Sequence, residues 1–371
     1  MLKTLIRRWR ELLGGAMAGT AATQASGAAL PADTAELLIH DYDGGGVKAT
    51  GPALLVRKSI ADKVSLSAQY YVDAVSNASI DVVTTASPFK EKRTAWTFGA
   101  TTVVRDTTLS VGLDRSREPD YTADTFSADA THEVFGGMTS VSLGFSRAND
   151  RVGKRESGVV NWVDEAHHWQ YRVGLTQILT PRWLVSANME VISDDGYLGS
   201  PYRAAQVFGA AVPENVPRTR TGRALKLRSI TDTGSLLPRS SLRVEYRRYW
   251  DTWAVKSNTF EIGGSQYLGE SFLLDLSLRQ YSQGKALFYS DNTSTQQTYL
   301  SRNRQLSTFT STGLSSHLAW TWPGAPKGWD IKLHGGYEFK QFRFKDFTDL
   351  RSGNLYRHNA HVLQMYVTAG F

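Results

Sequence analysis

The chain has no cysteine. That excludes a disulfide framework, a thiolate metal site and a cysteine nucleophile, and it is compatible with an oxidising compartment. Also missing is any apolar run of about 18 residues, the length a transmembrane helix needs. Charge of one sign is scarce. The formal net charge is +7 over 371 residues, and Lys3, Arg7, Arg8 and Arg10 supply part of it at the very start. Charge alone therefore gives no case for nucleic acid. No Gly-x-Ser-x-Gly elbow and no phosphate-binding glycine loop is present, nor a recognisable flavin or haem motif, so no cofactor and no enzymatic activity is expected. What the chain does have is 16 Tyr, 15 Phe, 10 Trp and 32 Gly, set in a sequence whose mean hydropathy is below zero. Many aromatics in a polar background suggest strands with a single apolar face.

The N-terminus reads as an export signal. A basic start precedes Leu12 and Leu13 and a run of Gly and Ala, followed by the small-residue stretch TQASGAALPAD. We take residues 1–29 as a signal peptide, with the cut between 25 and 32, and residues 30–371 as one domain. The alternative is an amphipathic N-terminal helix of a cytosolic protein.

Beyond it, period-two alternation recurs. Leu66, Ala68, Tyr70 and Val72 share one face, with Ser67, Gln69, Tyr71 and Asp73 on the other. The same holds for Trp183–Val191, for Leu242–Arg247, for Phe272–Arg279 and for the final HVLQMYVTAGF, where Leu363, Met365, Val367, Ala369 and Phe371 line up. Each stretch is about ten residues long, enough for a tilted strand to cross the hydrocarbon. A soluble sandwich also alternates. Long, numerous strands joined by connections of two alternating sizes favour an all-β, antiparallel, up-and-down transmembrane barrel of about 16 strands (14–18), with short turns on the side of both termini. The longer connections fall near residues 74–91, 116–121, 149–166, 194–219, 283–307 and 345–360. Two further connections on that side, DGGG near Asp43 and WDT near Asp251, are short.

Several stretches together carry a resemblance. YDGGGV (42–47), VRKSI (56–60), YYVDAVSNASIDVVTTASPFKEKR (70–93), LGFSRANDRVGKR (143–155), SDDGYLGSPYR (193–203), YRRYWDTW (246–253) and RQYSQGKALFY (279–289) look like the bacterial outer-membrane barrels catalogued as domain of unknown function 3570. The resemblance implies an outer-membrane barrel and brings no assigned activity. It hints at redox-linked envelope work with a periplasmic partner.

The inward rows are the main candidate site: Lys226, Arg228, Arg243, Glu245, Arg247, Glu261, Asp275, Arg279, Lys332 and Glu338. Such charges either select solutes in a water-filled channel or pair across strands and brace the wall. Lys90, Glu91, Lys92 and Arg93 close the first long loop, which is expected either to fold inward as a constriction or to stay at the surface, where its charges can meet lipopolysaccharide phosphates. WVDEAHHW (162–169) is expected to be a solvated loop, because adjacent histidines on a strand point to opposite faces and suit one ion poorly. His317 and His334 are expected to make hydrogen bonds in the lumen. Tyr197, Tyr202, Tyr249, Trp250 and Trp253 are expected to form an interfacial girdle. Leu363, Met365, Val367 and Phe371 resemble the C-terminal signal read by the barrel-assembly machinery. The functional expectation is a porin-like channel for small hydrophilic solutes, then a closed docking barrel for a periplasmic protein or lipoprotein, then an outer-membrane hydrolase.

Overall fold

A computed structural model describes residues 28–77, 89–295 and 297–371, the side chains of residues 77, 89 and 90 excepted. The proposed signal segment thus lies almost wholly outside the described residues, as does the tip of the first long loop.

The strands are β1 (Thr34–Gly44), β2 (Val47–Ile60), β3 (Val64–Asn77), β4 (Phe89–Val104), β5 (Thr107–Glu118), β6 (Tyr121–Val134), β7 (Thr139–Glu156), β8 (Val159–Thr180), β9 (Trp183–Gly196), β10 (Ala204–Val207), β11 (Ala210–Pro213), β12 (Thr219–Asp232), β13 (Ser240–Asp251), β14 (Lys256–Leu268), β15 (Phe272–Gln283), β16 (Phe309–Thr321), β17 (Asp330–Thr348) and β18 (Leu355–Gly370). Sixteen of them close a single antiparallel barrel, and β10 and β11 form a separate hairpin. Closure is made by β1 against β18, from Thr34 opposite Gly370 to Gly44 opposite Ala360. This pairing removes the edge that an open sheet would present.

Alternation fixes the two faces. Leu37, Ile39, Phe98, Leu113, Leu143, Val173, Leu276, Leu314 and Met365 point outward and are exposed, Leu113 and Met365 at 60%. Lipid, not protein, covers this band. The start of β1 and the end of β18 lie at one end of the barrel, the terminal end, where the turns are short. The longer connections gather at the other, the loop end. One loop-end connection is tight because Gly45 and Gly46 sit at φ +59° and +79°, which a two-residue hairpin of primed type needs.

Four expected loops are shorter than the alternation suggested. The connection over 116–121 closes to a two-residue turn, with Glu118 paired to Tyr121. The loop over 74–91 is shortened at both ends, because β3 and β4 stay paired as far as Asn77 opposite Phe89. The loop over 149–166 becomes a hairpin turning at residues 157 and 158, with Glu156 paired to Val159. The loop over 345–360 narrows to 349–354. In all four the apolar face ends at the membrane, but the backbone ladder runs on into water.

Candidate functional site

All ten proposed lumen charges face the barrel interior. The register places Arg228 beside Glu245, Glu245 beside Glu261, and Glu261 beside Arg279 on four successive strands. Ion pairs run along this wall. Glu245 takes Lys226 at 2.6 Å, Arg228 at 2.6 Å and Arg243 at 3.4 Å. Arg243 also reaches Glu261 at 3.2 Å, and Arg247 reaches Glu190 at 3.0 Å. Asp275 accepts a hydrogen bond from Ser265, and Lys332 pairs with Asp330 at 2.8 Å. Glu338 pairs with Lys340 at 2.7 Å. Four members of the wall were missed in the sequence. Asp129 and Arg172, 2.7 Å apart, and Glu190 and Lys340 also face inward. Lys340 was visible as a polar alternate in YEFKQF; Asp129 lies in FSADATHEV, whose pattern is too weak to orient it. Gly144 makes the Arg172–Asp129 pair possible: a Cβ there would meet Asp129 Oδ1 at 2.4 Å and Arg172 Nε at 2.7 Å. Arg172, Asp129, Asn188, Glu190, Lys226 and Arg247 line a recess of about 290 Å³.

Water reaches this middle level. Lys226 and Arg228 are each 36% exposed, although they point away from the outside of the barrel. The loop end is different. Strands all round the barrel carry buried inward side chains there, among them Tyr42, Asp73, Ser116, Ile192, Phe309 and Phe344.

What fills that end is a lid made of the two longest connections, residues 197–218 and 284–308. They are joined by backbone hydrogen bonds between Asn215 and Leu300 in both directions, at 3.1 and 2.8 Å, and from Phe208 N–H to Thr293 C=O at 2.8 Å. The lid has its own apolar core, in which Ala286, Phe288, Tyr289 and Leu306 pack against Trp253, Phe344, Phe347 and Tyr356. Burying aromatics at this density is a major stabilising contribution. Arg302 spans from Asp291, at 2.7 Å, to the Thr348 carbonyl and lies over the Phe347 ring. Arg203 pairs with Glu214 at 2.9 Å, both side chains buried, and Ser301 donates to the same carboxylate. On the far side, Tyr202 hydroxyl donates to Asp120 and accepts from Arg155 N–H at 2.6 Å. Asp120, Glu118 and Glu91 bring carboxylate oxygens within 4.8 Å of one another, the only grouping with metal-ligand spacing among the described residues.

The lid corrects the girdle assignment. Trp253 is buried in the lid core and Tyr249 packs against it. Tyr202 is a tether. Only Trp250, on the outward face of β13, keeps the expected position. The physical reason is that the loops fold back into the mouth and offer these rings a protein core instead of headgroups.

The other candidates divide. Glu91, Lys92 and Arg93 stand on β4, not in a loop, and Arg93 is buried, its Nε donating to Ser116 Oγ at 2.9 Å with Asp73 at 3.7 Å. The Lys90 side chain lies outside the described residues. The loop between β3 and β4, for which either an inward fold or a surface position was expected, lies outside the described residues. WVDEAHHW is strand rather than solvated loop. His168 points inward with Asp194 at 2.7 Å and Asp150 at 3.1 Å, while His167 points outward to Asn149. Opposite faces for the two histidines were read correctly. His317 Nε2 lies 3.0 Å from Tyr366 hydroxyl, as expected, whereas His334 stacks on the same ring at 4.0 Å and, contrary to expectation, finds no hydrogen-bond partner among the described residues for either ring nitrogen. A second network was not foreseen. His40 Nε2, Tyr71 hydroxyl and Asp73 join on β1 and β3, with His40 to Asp73 at 2.6 Å. Leu363, Met365 and Val367 face outward, and the Phe371 ring lies against Trp329 with Lys58 Nζ 4.9 Å from its centre.

Comparison with known proteins agrees with this architecture. No curated protein matches the chain in sequence. A bacterial polysaccharide outer membrane secretin shares the fold at 10% identity, with 92% of this chain and all of that one covered and a TM-score of 0.53. The CymD monoaromatic hydrocarbon channel is 12% identical over 96% and 92% of the two chains, at a TM-score of 0.45. The siderophore receptor PirA from Pseudomonas aeruginosa is 12% identical at a TM-score of 0.43, and this chain spans only 60% of its length. The likeness to the secretin speaks to fold alone: a closed transmembrane barrel of the outer-membrane type. The model of the family described as "Protein of unknown function (DUF3570)" matches residues 9–163 and 154–325, and the chain belongs to that family.

Proposed function

We propose that the protein is an outer-membrane channel for small hydrophilic solutes whose outer mouth is held shut by a folded lid. The reading places the terminal end in the periplasm and the loop end outside. One contrast carries it. The charged middle of the lumen is open to water, whereas the loop end is packed with protein. A charged wall in a narrow aqueous space focuses the field on whatever passes, and a closed mouth makes passage conditional. The aromatic core of the lid favours a second reading, a permanently closed barrel that docks a periplasmic protein or lipoprotein. Recording in planar bilayers separates the two. The full chain should conduct little, and a variant with residues 286–301 replaced by a short Gly/Ser linker should give steady currents in KCl. Silence from both, with each running as a heat-modifiable folded barrel on gels, would overturn the channel reading in favour of the docking barrel.

A further inference from the structure

We infer that the lumen wall between β13 and β17 binds a small solute through an anionic oxygen group, a carboxylate or a phosphate. The site is a recess only in the sense that two lumen-facing positions of this wall, Gly263 on β14 and Gly313 on β16, carry no side chain. A Cβ at Gly263 would stand 3.0 Å from Arg243 Nη2 and 3.1 Å from Leu276 O and Ser277 Cβ, and one at Gly313 would stand 3.6 Å from Glu338 Oε1, 3.7 Å from Lys340 Cγ and 3.8 Å from Arg279 Cβ. Arg243, Arg279 and Lys340 therefore stand around two positions without side chains. Two of these cations already have partners, Arg243 with Glu261 at 3.2 Å and Lys340 with Glu338 at 2.7 Å. Arg279 is the exception. Although the register sets it beside Glu261, no carboxylate lies within ion-pair distance of its guanidinium among the described residues.

An uncommitted guanidinium beside two glycines, flanked by two further cations, presents a planar fork of donors to the lumen. A carboxylate or phosphate matches that fork with two parallel hydrogen bonds. The neighbouring acids are engaged by Arg243 and Lys340, so the entering anion completes the pairing instead of competing for it. A cationic solute finds no unpaired acid in the recess. The inference deepens the channel reading and rests on it for the claim that the bound anion is a transported solute.

The test is titration calorimetry on the detergent-purified full chain at low salt, with citrate, inorganic phosphate and, as cationic control, spermidine. The wall at this level is exposed to water, as Lys226 and Arg228 show, so the lid need not move. Citrate or phosphate should bind, more weakly as salt is added, and Arg279→Gln should weaken binding about tenfold or more. Gly313→Leu, whose Cβ fits at ordinary contact distance but whose side chain fills the recess, should do the same while the barrel stays heat-modifiable. Binding of citrate alone assigns a carboxylate site, and of phosphate alone a phosphate site. No binding of either anion at millimolar concentration overturns the inference. So does equal affinity for spermidine, or an Arg279→Gln variant with wild-type affinity. Anion binding without current from the lid-shortened variant sinks the channel reading and leaves the site standing; current without anion binding does the reverse.

Discussion

Glu214 is the residue on which the lid should turn. Its side chain is 1% exposed and that of Arg203 is 7% exposed. Glu214 holds Arg203 at 2.9 Å and accepts from Ser301 of the second connection, so one carboxylate joins both halves of the lid. Arg203 has little else, since its Nε and Nη2 are buried without hydrogen-bond partners. Glu214→Ala therefore leaves a buried guanidinium without its counter-charge, which costs about 3–5 kcal/mol. The barrel ladder does not include this pair, so the cost falls on lid seating and shifts the closed-to-open ratio by roughly two to three and a half orders of magnitude. Glu214→Gln keeps one oxygen to accept from Arg203 and turns its amide N–H to the Ser301 hydroxyl, so it should shift it less. Limited proteolysis in detergent reads the effect. In Glu214→Ala, cleavage within 197–218 and 284–308 should rise steeply while the barrel fragment survives, and bilayer currents should appear. A Glu214→Ala lid as resistant and as silent as the unmodified chain would refute the reasoning.

Four further outcomes follow from the same geometry. Phe347→Ala removes a fully buried ring that packs on Phe344 and Tyr356 and carries Arg302; a loss of about 3–5 kcal/mol should loosen the lid, seen as faster amide exchange over 284–308 with the barrel strands unchanged. Arg247→Glu sets two acids together at Glu190 and should move the reversal potential of the lid-shortened variant in a KCl gradient toward cations; an unmoved potential would remove Arg247 from the solute path. Phe371→Ala loses a contact with Trp329 on an exposed surface, so it should lower the yield of membrane-inserted barrel while leaving the melting temperature of the inserted fraction nearly unchanged. Burial beside Glu214 pushes the Tyr197 hydroxyl up from 10.0 to about 12. An acid raised in the folded state gives stability that is intact below its unfolded value and lost as pH rises through the folded one, so lid protection should fall between those two pH values and should not do so in Tyr197→Phe.

The barrel was legible because lipid imposes a strict rule. Every outward position must be apolar over about ten residues, and Leu66 to Val72 or Leu363 to Val367 obey it without needing a partner. The inward assignment of Arg243, Glu245 and Arg247 follows from the same alternation. Register was not legible: that Arg279 sits beside Glu261 yet pairs with no acid among the described residues depends on side-chain geometry across strands. The lid was the largest omission. Residues 284–308 do not alternate, and their aromatics Phe288 and Tyr289 find partners at Trp253, Phe344 and Phe347, far away in sequence. Aromatics near strand ends usually mean a headgroup girdle, and only the three-dimensional packing shows that Trp253 belongs to a core. The β7–β8 hairpin was missed for the opposite reason: its ladder persists where no apolar face announces it.

The central claim is a lumen wet in its middle and closed at its outer mouth. The absence of cysteine makes it directly measurable, because each introduced thiol is the only one. Ser277→Cys places a thiol on the lumen wall, where the native hydroxyl faces Ser315 at 2.6 Å, and Phe208→Cys places one at a lid position that is 75% exposed. A charged, membrane-impermeant maleimide added to intact cells should label Phe208→Cys and leave Ser277→Cys untouched. The same reagent should label Ser277→Cys once it is admitted to the periplasm. Labelling of Ser277→Cys from outside as fast as Phe208→Cys would contradict the closed mouth, and no labelling from either side would contradict the wet lumen.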